Sequence, residues 1–317
     1  MRKARRSAAF AVIACKGGWY AVTPTLPVEI AQDGPDAGIA VVALEQPGRP
    51  VVVLDLALMQ SLEATLAALP TGLRGLVLAS NAERAFIAGA DLTAIRDLDD
   101  DALHRYLRYG SKVFGMLSAL PYPTAAAIHG AALGGGLEIA MHCDGLIGAP
   151  GAKPYPVGLP EAGLSICPGW GGTNLLPARM DPAEAIRRTA SGKPMTFDEA
   201  RDAGVFDAVA PSAAELRATA RAWVGSRSQG ARTRDGAPLR WIGRGDRAAA
   251  TRAALERVRD EISATDAGRA VALAIDVGLS EGWGAALACE QRELVRLRST
   301  PAGRAAIAAF FEKSAKK

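Results

Sequence analysis

The sequence predicts an α/β fold with a helical C-terminal region, and three observations predict it. Short runs rich in Val, Ile, Leu and Ala alternate with apolar residues at helical spacing through the first half of the chain. Pro and Gly punctuate the junctions between them. Past residue 181 nearly every apolar pattern has helical period. Strands that alternate with helices imply a core of parallel sheet.

The elements follow in order. Runs at 39–44 and 51–54, separated by Gln46-Pro47-Gly48, read as a strand, a turn and a strand. Met59, Leu62, Leu66 and Leu69 fall at helical spacing, and Pro70 stops that helix. The next strand covers 73–79, a helix covers 101–120 up to Pro121 and Pro123, and a further strand covers 124–128. Helices follow at 182–190, 196–203, 213–224, 247–263, 268–279 and 284–297. Between them, 225–245 is rich in Gly, Arg and Ser with little periodicity and reads as a long surface loop. The expected division is a disordered N-terminal extension over 1–36, an α/β core over 37–210 and a helical region over 211–317.

Composition excludes several function classes. A chain of 317 residues with 49% hydrophobic residues supports a large core. Its 37 basic and 33 acidic residues leave a diluted charge of +4, and only 5% of residues are aromatic, which argues against nucleic-acid binding. No apolar run approaches the roughly 20 residues that span a bilayer. Cys15, Cys143, Cys167 and Cys289 form no CxxC pair and lack the His clusters of a zinc site, so reduced, non-ligating thiols, no metal and a cytoplasmic location are expected. The basic start followed by apolar residues 8–14 and Cys15 has the outline of a lipoprotein signal. That run stands at the lower limit of a signal core, about 7 residues, and the cysteine usage favours a plain extension.

Three stretches carry candidate chemistry. The densest is Gly130-Ala-Ala-Leu-Gly134-Gly135-Gly136-Leu-Glu138, between a strand and a helix start. Glycines let the backbone approach a ligand, and the first N–H groups of a helix can hold an oxyanion; tight helix–strand packing explains the glycines equally well. It is neither a Rossmann nor a P-loop motif, since Ile139 replaces the third glycine and no Gly-Lys-Ser/Thr follows. Gly158-Leu-Pro160-Glu161 through Pro168-Gly169-Trp170-Gly-Gly-Thr173 puts a second carboxylate in apolar, turn-rich surroundings, the setting for a raised pKa. Arg84-Ala-Phe-Ile-Ala88-Gly89-Ala90-Asp91-Leu92 is the third, readable on its own as a loop and a helix start capped by Asp91. Two glutamates on one pocket suit hydration of a double bond, which removes one proton from water and delivers one to carbon.

In order and residues these stretches resemble the crotonase (enoyl-CoA hydratase/isomerase) superfamily over 39–210. The resemblance implies a spiral of β-β-α units with the helical region 211–317 covering the active site, an acyl-CoA substrate that carries its own CoA, and no separate cofactor. It makes Ala90 and Gly135 the oxyanion-hole N–H donors and Glu138 and Glu161 the catalytic pair, with Ala88, Gly89, Asp91, Leu92, Gly134, Gly136, Pro160, Gly169 and Trp170 around the substrate. Both glutamates together favour hydration of 2-enoyl-CoA; the alternatives are a Δ3-Δ2 isomerase or another crotonase-type acyl-CoA enzyme, and after these a non-catalytic acyl-CoA-binding partner of a dehydrogenase. Leu92-Thr93 stands where many relatives carry a Lys near the CoA phosphates. Gly48-Arg-Pro-Val-Val-Val-Leu-Asp55 and the tail 281–317 are similar to the hydratase half of multifunctional β-oxidation proteins, which implies a free-standing hydratase working with a separate 3-hydroxyacyl-CoA dehydrogenase. Relatives imply a homo-oligomer, a trimer or hexamer. His129 and His142 are read as packing or support, and Cys143 and Cys167 as inert thiols.

Overall fold

The protein is seen in a computed structural model that describes residues 12–15, 18–21, 23–83, 85–227 and 234–315. In chain order, β1 (Val12–Cys15) and β2 (Gly18–Ala21) form an antiparallel hairpin. There follow β3 (Val28–Ile30), β4 (Ile39–Leu44), α1 (Leu56–Ala67), β5 (Gly75–Ser80), β6 (Ala85–Ile87), α2 (Leu92–Asp97) and α3 (Asp100–Ala119). Next come β7 (Thr124–Ile128), β8 (Ala131–Leu133), α4 (Gly135–Met141), β9 (Gly145–Gly148), β10 (Pro156–Gly158) and a 3-10 turn at Glu161–Leu164. The second half holds α5 (Gly172–Leu175), α6 (Pro182–Ser191), β11 (Met195–Thr196), α7 (Phe197–Asp202), β12 (Ala208–Val209) and α8 (Leu216–Gly225). Four long helices close the chain: α9 (Arg247–Ile262), α10 (Asp266–Glu281), α11 (Trp283–Arg298) and α12 (Pro301–Ala315).

Successive turns of chain deal one strand to each of two sheets. Strands β5, β7 and β9 join the larger sheet, in order β12-β9-β7-β5-β4-β3, while β6, β8 and β10 join the smaller, β11-β10-β8-β6. Pairing is parallel except at the edges contributed by β3 and β11. This is the β-β-α spiral of the crotonase fold, with a helical C-terminal region. Both faces of the larger sheet are covered, so its strands read as unbroken apolar runs. Val42, Leu44, Leu76, Leu78, Ala126 and Ile128 face the main core. Their neighbours Ile39, Val41, Val77, Ala125 and Ile147 pack instead under Trp223 and Val224 of α8.

Three expectations change. The run 51–54 is no strand: only Leu54 bridges, in parallel sense, to Ala90, because the run is spent on the loop before α2 rather than on β4. The extension assigned to 1–36 includes β3, which pairs with β4 as Val28↔Val42 and Ile30↔Ala40, next to buried Leu26, so the sheet begins before residue 37. Residues 1–11, with most of the signal-like stretch, lie outside the described residues. The supposed surface loop 225–245 packs inward over its later part, where Trp241 and Ile242 are buried and Arg234 grips Asp144 from 2.6 and 2.8 Å; residues 228–233 lie outside the described residues. Among the described residues no helix is long and apolar enough to cross a membrane.

Candidate active site

The first wall of the site is built by the run that failed to be a strand. Leu54 N–H donates to Gly89 O at 3.0 Å and Ala88 N–H to Val52 O at 2.8 Å, which straps residues 88–90 against residues 52–54. The Tyr106 hydroxyl accepts the Asp91 N–H at 3.3 Å and donates to Leu54 O at 2.5 Å, pinning the same corner from α3. Asp91 itself turns away to cap α2, accepting Thr93 N–H at 2.9 Å.

The second wall is the glycine turn into α4. Gly134 has φ +52°, and its N–H reaches Gly158 O at 2.9 Å, so β10 holds the turn. A Cβ on Gly134 would stand 2.4 Å from Glu161 Oε1; only a glycine lets that carboxyl lie on the turn. Gly135 is the first residue of α4, and no helical carbonyl can reach its N–H. Against Gly135 lies the Trp170 indole, whose N–H donates to Leu107 O at 2.8 Å and whose ring is backed by Phe114 at 5.1 Å and Tyr106 at 5.6 Å. Trp170 is thus a rigid floor.

Glu138 is 1% exposed, one turn into α4. Its Oε1 accepts both Trp170 N–H and Gly172 N–H at 2.8 Å, so the segment before α5 fixes its direction. Burial, then the nearby carboxyls of Glu290 and Glu161, hold Glu138 well above the ordinary carboxylate range, although its two N–H bonds pull the other way. Glu161 opens the 3-10 turn, and its Oε2 is buried without a hydrogen-bond partner. Burial pushes Glu161 up to about 8. Among the described residues neither carboxylate forms an ion pair.

These pieces enclose one cavity of about 370 Å³. Its wall includes Ala88, Gly89, Ala90, Leu92, Gly134, Gly135, Glu138, Pro160, Glu161, Gly169 and Trp170, so the expected residues come together from four separate stretches of chain. Asp91 and Gly136 do not belong to that wall. Asp91 is the α2 cap, and Gly136 packs helix on strand, where a Cβ would meet Ile87 O at 2.5 Å. The rest of the lining is apolar and includes Ile95, Leu107, Leu164 and Ile166. The chain's own last helices close the cavity, with Leu294 from α11 and Phe310 from α12. Arg96 of α2 lies 4.2 Å above the Phe311 ring and ties α12 down.

The histidines and thiols stay outside the chemistry. His142 Nδ1 lies 3.2 Å from Ser118 Oγ and Nε2 lies 3.1 Å from Trp170 O, and burial lowers its pKa to about 4, so it braces the Trp170 segment as a neutral ring. His129 bonds Ala82 O at 2.7 Å. Cys143 is buried and its thiol is pushed up to about 12, an inert state. One residue escaped sequence reasoning altogether. Glu290 of α11, fully buried, accepts Gly171 N–H at 2.5 Å, Thr173 N–H at 2.9 Å and the Thr173 hydroxyl. A signal existed, since Glu290 falls four residues after Ala286 and four before Leu294 on the stripe that α11 buries.

The family model for enoyl-CoA hydratase/isomerase matches residues 34–233, more than half of the chain. Among solved structures, human mitochondrial delta3-delta2-enoyl-CoA isomerase is 21% identical, covering 92% of this chain and 98% of its own, with a TM-score of 0.65. Enoyl-CoA hydratase from Bacillus anthracis is 25% identical over 91% and 96%, with a TM-score of 0.57. Enoyl-CoA hydratase from Bacillus halodurans is 20% identical over 90% and 99%, with a TM-score of 0.62. With its spiral fold and the glutamates and glycine turn gathered on one cavity, the chain belongs to the enoyl-CoA hydratase/isomerase family.

Proposed function

We propose that this chain adds water to a 2-enoyl-CoA, forming a 3-hydroxyacyl-CoA. The observation that carries the reading is the pair of carboxylates, buried Glu138 and half-buried Glu161, meeting at one cavity beside the Gly134-Gly135 turn. The N–H groups of Ala90 and Gly135 hold the thioester oxygen and stabilise the charge that develops on it as water attacks. Each such donor contributes about 2.7–4 kcal/mol in comparable sites. Glu138 takes the proton from water: Oε1 is saturated by two N–H donors that favour its charged form, which leaves Oε2 for the water. Glu161, with an unpartnered oxygen and a raised pKa, delivers a proton to the α-carbon. Ile95, Leu107, Leu164 and Leu294 offer apolar surface to the acyl chain. The reaction requires no cofactor beyond the CoA on the substrate, and its secondary alcohol product suits a separate 3-hydroxyacyl-CoA dehydrogenase.

Incubation of the purified chain with crotonyl-CoA and longer 2-enoyl-CoAs tests the proposal. Loss of enoyl-thioester absorbance is expected, and no loss at any chain length sinks it. A Δ3-Δ2 isomerase is the second reading, favoured by the unpartnered Glu161 oxygen, which by itself can carry a proton between the α and γ carbons.

A further inference from the structure

Glu290 is the third carboxylate at the site, itself buried, and the hydration scheme leaves it idle. Four consecutive backbone N–H groups alternate between two carboxylates. Trp170 and Gly172 donate to Glu138, while Gly171 and Thr173 donate to Glu290. We propose that Glu290 is a positioning residue for the acid–base pair: by gripping residues 171 and 173 from α11 it sets residues 170 and 172, the donors that aim Glu138. The inference rests on the hydration reading above.

The geometry requires a carboxylate at this position. Gly171 donates to Oε2 whereas Thr173 N–H and Oγ1–H donate to Oε1, so both oxygens accept. The Thr173 hydroxyl accepts Asn174 Nδ2–H at 2.8 Å and, facing a carboxylate oxygen that has no hydrogen to give, donates its own proton to Glu290 Oε1. An amide in place of the carboxylate would turn an NH2 against one of these donors. The titratable groups that face Glu290 are Glu138 on α4, Glu161 on the 3-10 turn, and Cys167 before α5. Cys289 and Glu293 share its own helix, and the Gln291 and Ser111 contact towards α3 is neutral. Among the described residues no cation pairs with Glu138, Glu161 or Glu290. When it is charged, Glu290 opposes ionisation of the neighbouring carboxyls and favours keeping the transferable proton on Glu161, whose Oε2 lacks a donor.

The test measures kcat, KM and their pH profiles for enoyl-CoA hydration by the wild-type chain, Glu290→Gln and Thr173→Val, with hydrogen exchange of the 170–173 amides on each. Glu290→Gln is expected to lower kcat roughly 100-fold with little change in KM, the size of effect that misplacing a catalytic group produces. Both limbs of its pH profile should move to lower pH, and the Trp170 and Gly172 amides, which Glu290 does not touch, should exchange faster. Thr173→Val should act in the same direction and more weakly, and it decides the matter if Glu290→Gln fails to fold. A folded variant with wild-type kcat, or with reduced kcat but unmoved limbs, overturns the inference. Should the wild-type chain hydrate none of the thioesters, the functional reading fails separately. The exchange data still judge Glu290, and unchanged protection at residues 170 and 172 overturns it.

Discussion

Two buried groups of acidic residues in this protein are handled in opposite ways. Asp144 and Asp207, beneath the larger sheet, are matched by arginines. Asp144 binds Arg234, and Asp207 binds Arg179 and Arg240 while accepting Leu146 N–H at 2.8 Å. Glu138, Glu161 and Glu290 have no cation among the described residues and rely on backbone N–H groups or on nothing. An ion pair offsets part of the cost of burying a charge, whereas burial beside like charges raises a carboxylate's proton affinity. The difference marks which cluster holds the fold together and which is poised to exchange protons.

The largest effect should come from striking the unpaired cluster. Glu138→Gln and Glu161→Gln should each lower kcat for hydration by roughly 10²–10⁴-fold, the usual contribution of a positioned acid or base, with the melting temperature held or raised. Steady-state assays on crotonyl-CoA check this; if either variant keeps isomerising a 3-enoyl-CoA at near wild-type rate, the isomerase reading gains.

Breaking the paired cluster should give the reverse pattern. Asp144→Ala strands Arg234, whose side chain is 9% exposed, and frees the Thr124 N–H, so a loss of about 3 kcal/mol in unfolding free energy is expected. Denaturant titration measures it, and kcat below the new melting range should stay within a few fold of wild type. A catalytic collapse without loss of stability would erase the distinction between the clusters.

The smallest effect is on stability against pH. Glu161 has an ordinary value of 4.5 when unfolded and is raised to about 8 in the fold, and Glu290 is raised to about 7, burial being the main cause for both. Between those limits the folded chain binds more protons than the unfolded chain, so stability present below 4.5 is lost as pH rises towards 8. Thermal melts should show a midpoint that declines across this window and a flatter decline in Glu161→Gln. An unaltered slope in that variant would remove Glu161 from the titrating set.

Much of this was legible beforehand where local rules dominate. Residues 124–128 read as a strand because Thr and Ile bound an apolar run stopped by Pro123 and Gly130, and β7 spans those residues. The helix read over 101–120 matches α3, with its cap at Asp99 and its stop before Pro121. The run 51–54 misled because a buried apolar stretch has the same composition whether it joins a ladder or straps a loop. Glu290 hid because one charge among the Gln, Arg and Glu residues of α11 looks solvated; its helical position gave it away only weakly.

By itself the sequence determined the alternation of strands and helices, the glycine turn at 134–136 and the identities of Glu138 and Glu161, since each depends on residue type and near neighbours. Only the tertiary structure decided that Glu161 lies on Gly134, that Leu54 and Tyr106 strap the Ala90 corner, and that Glu290 arrives from α11, 119 residues away along the chain from Gly171. These contacts join segments with no local preference for one another. What selects them is the packing of two sheets and the C-terminal helices around one cavity, where each buried polar group must find a donor or keep its proton.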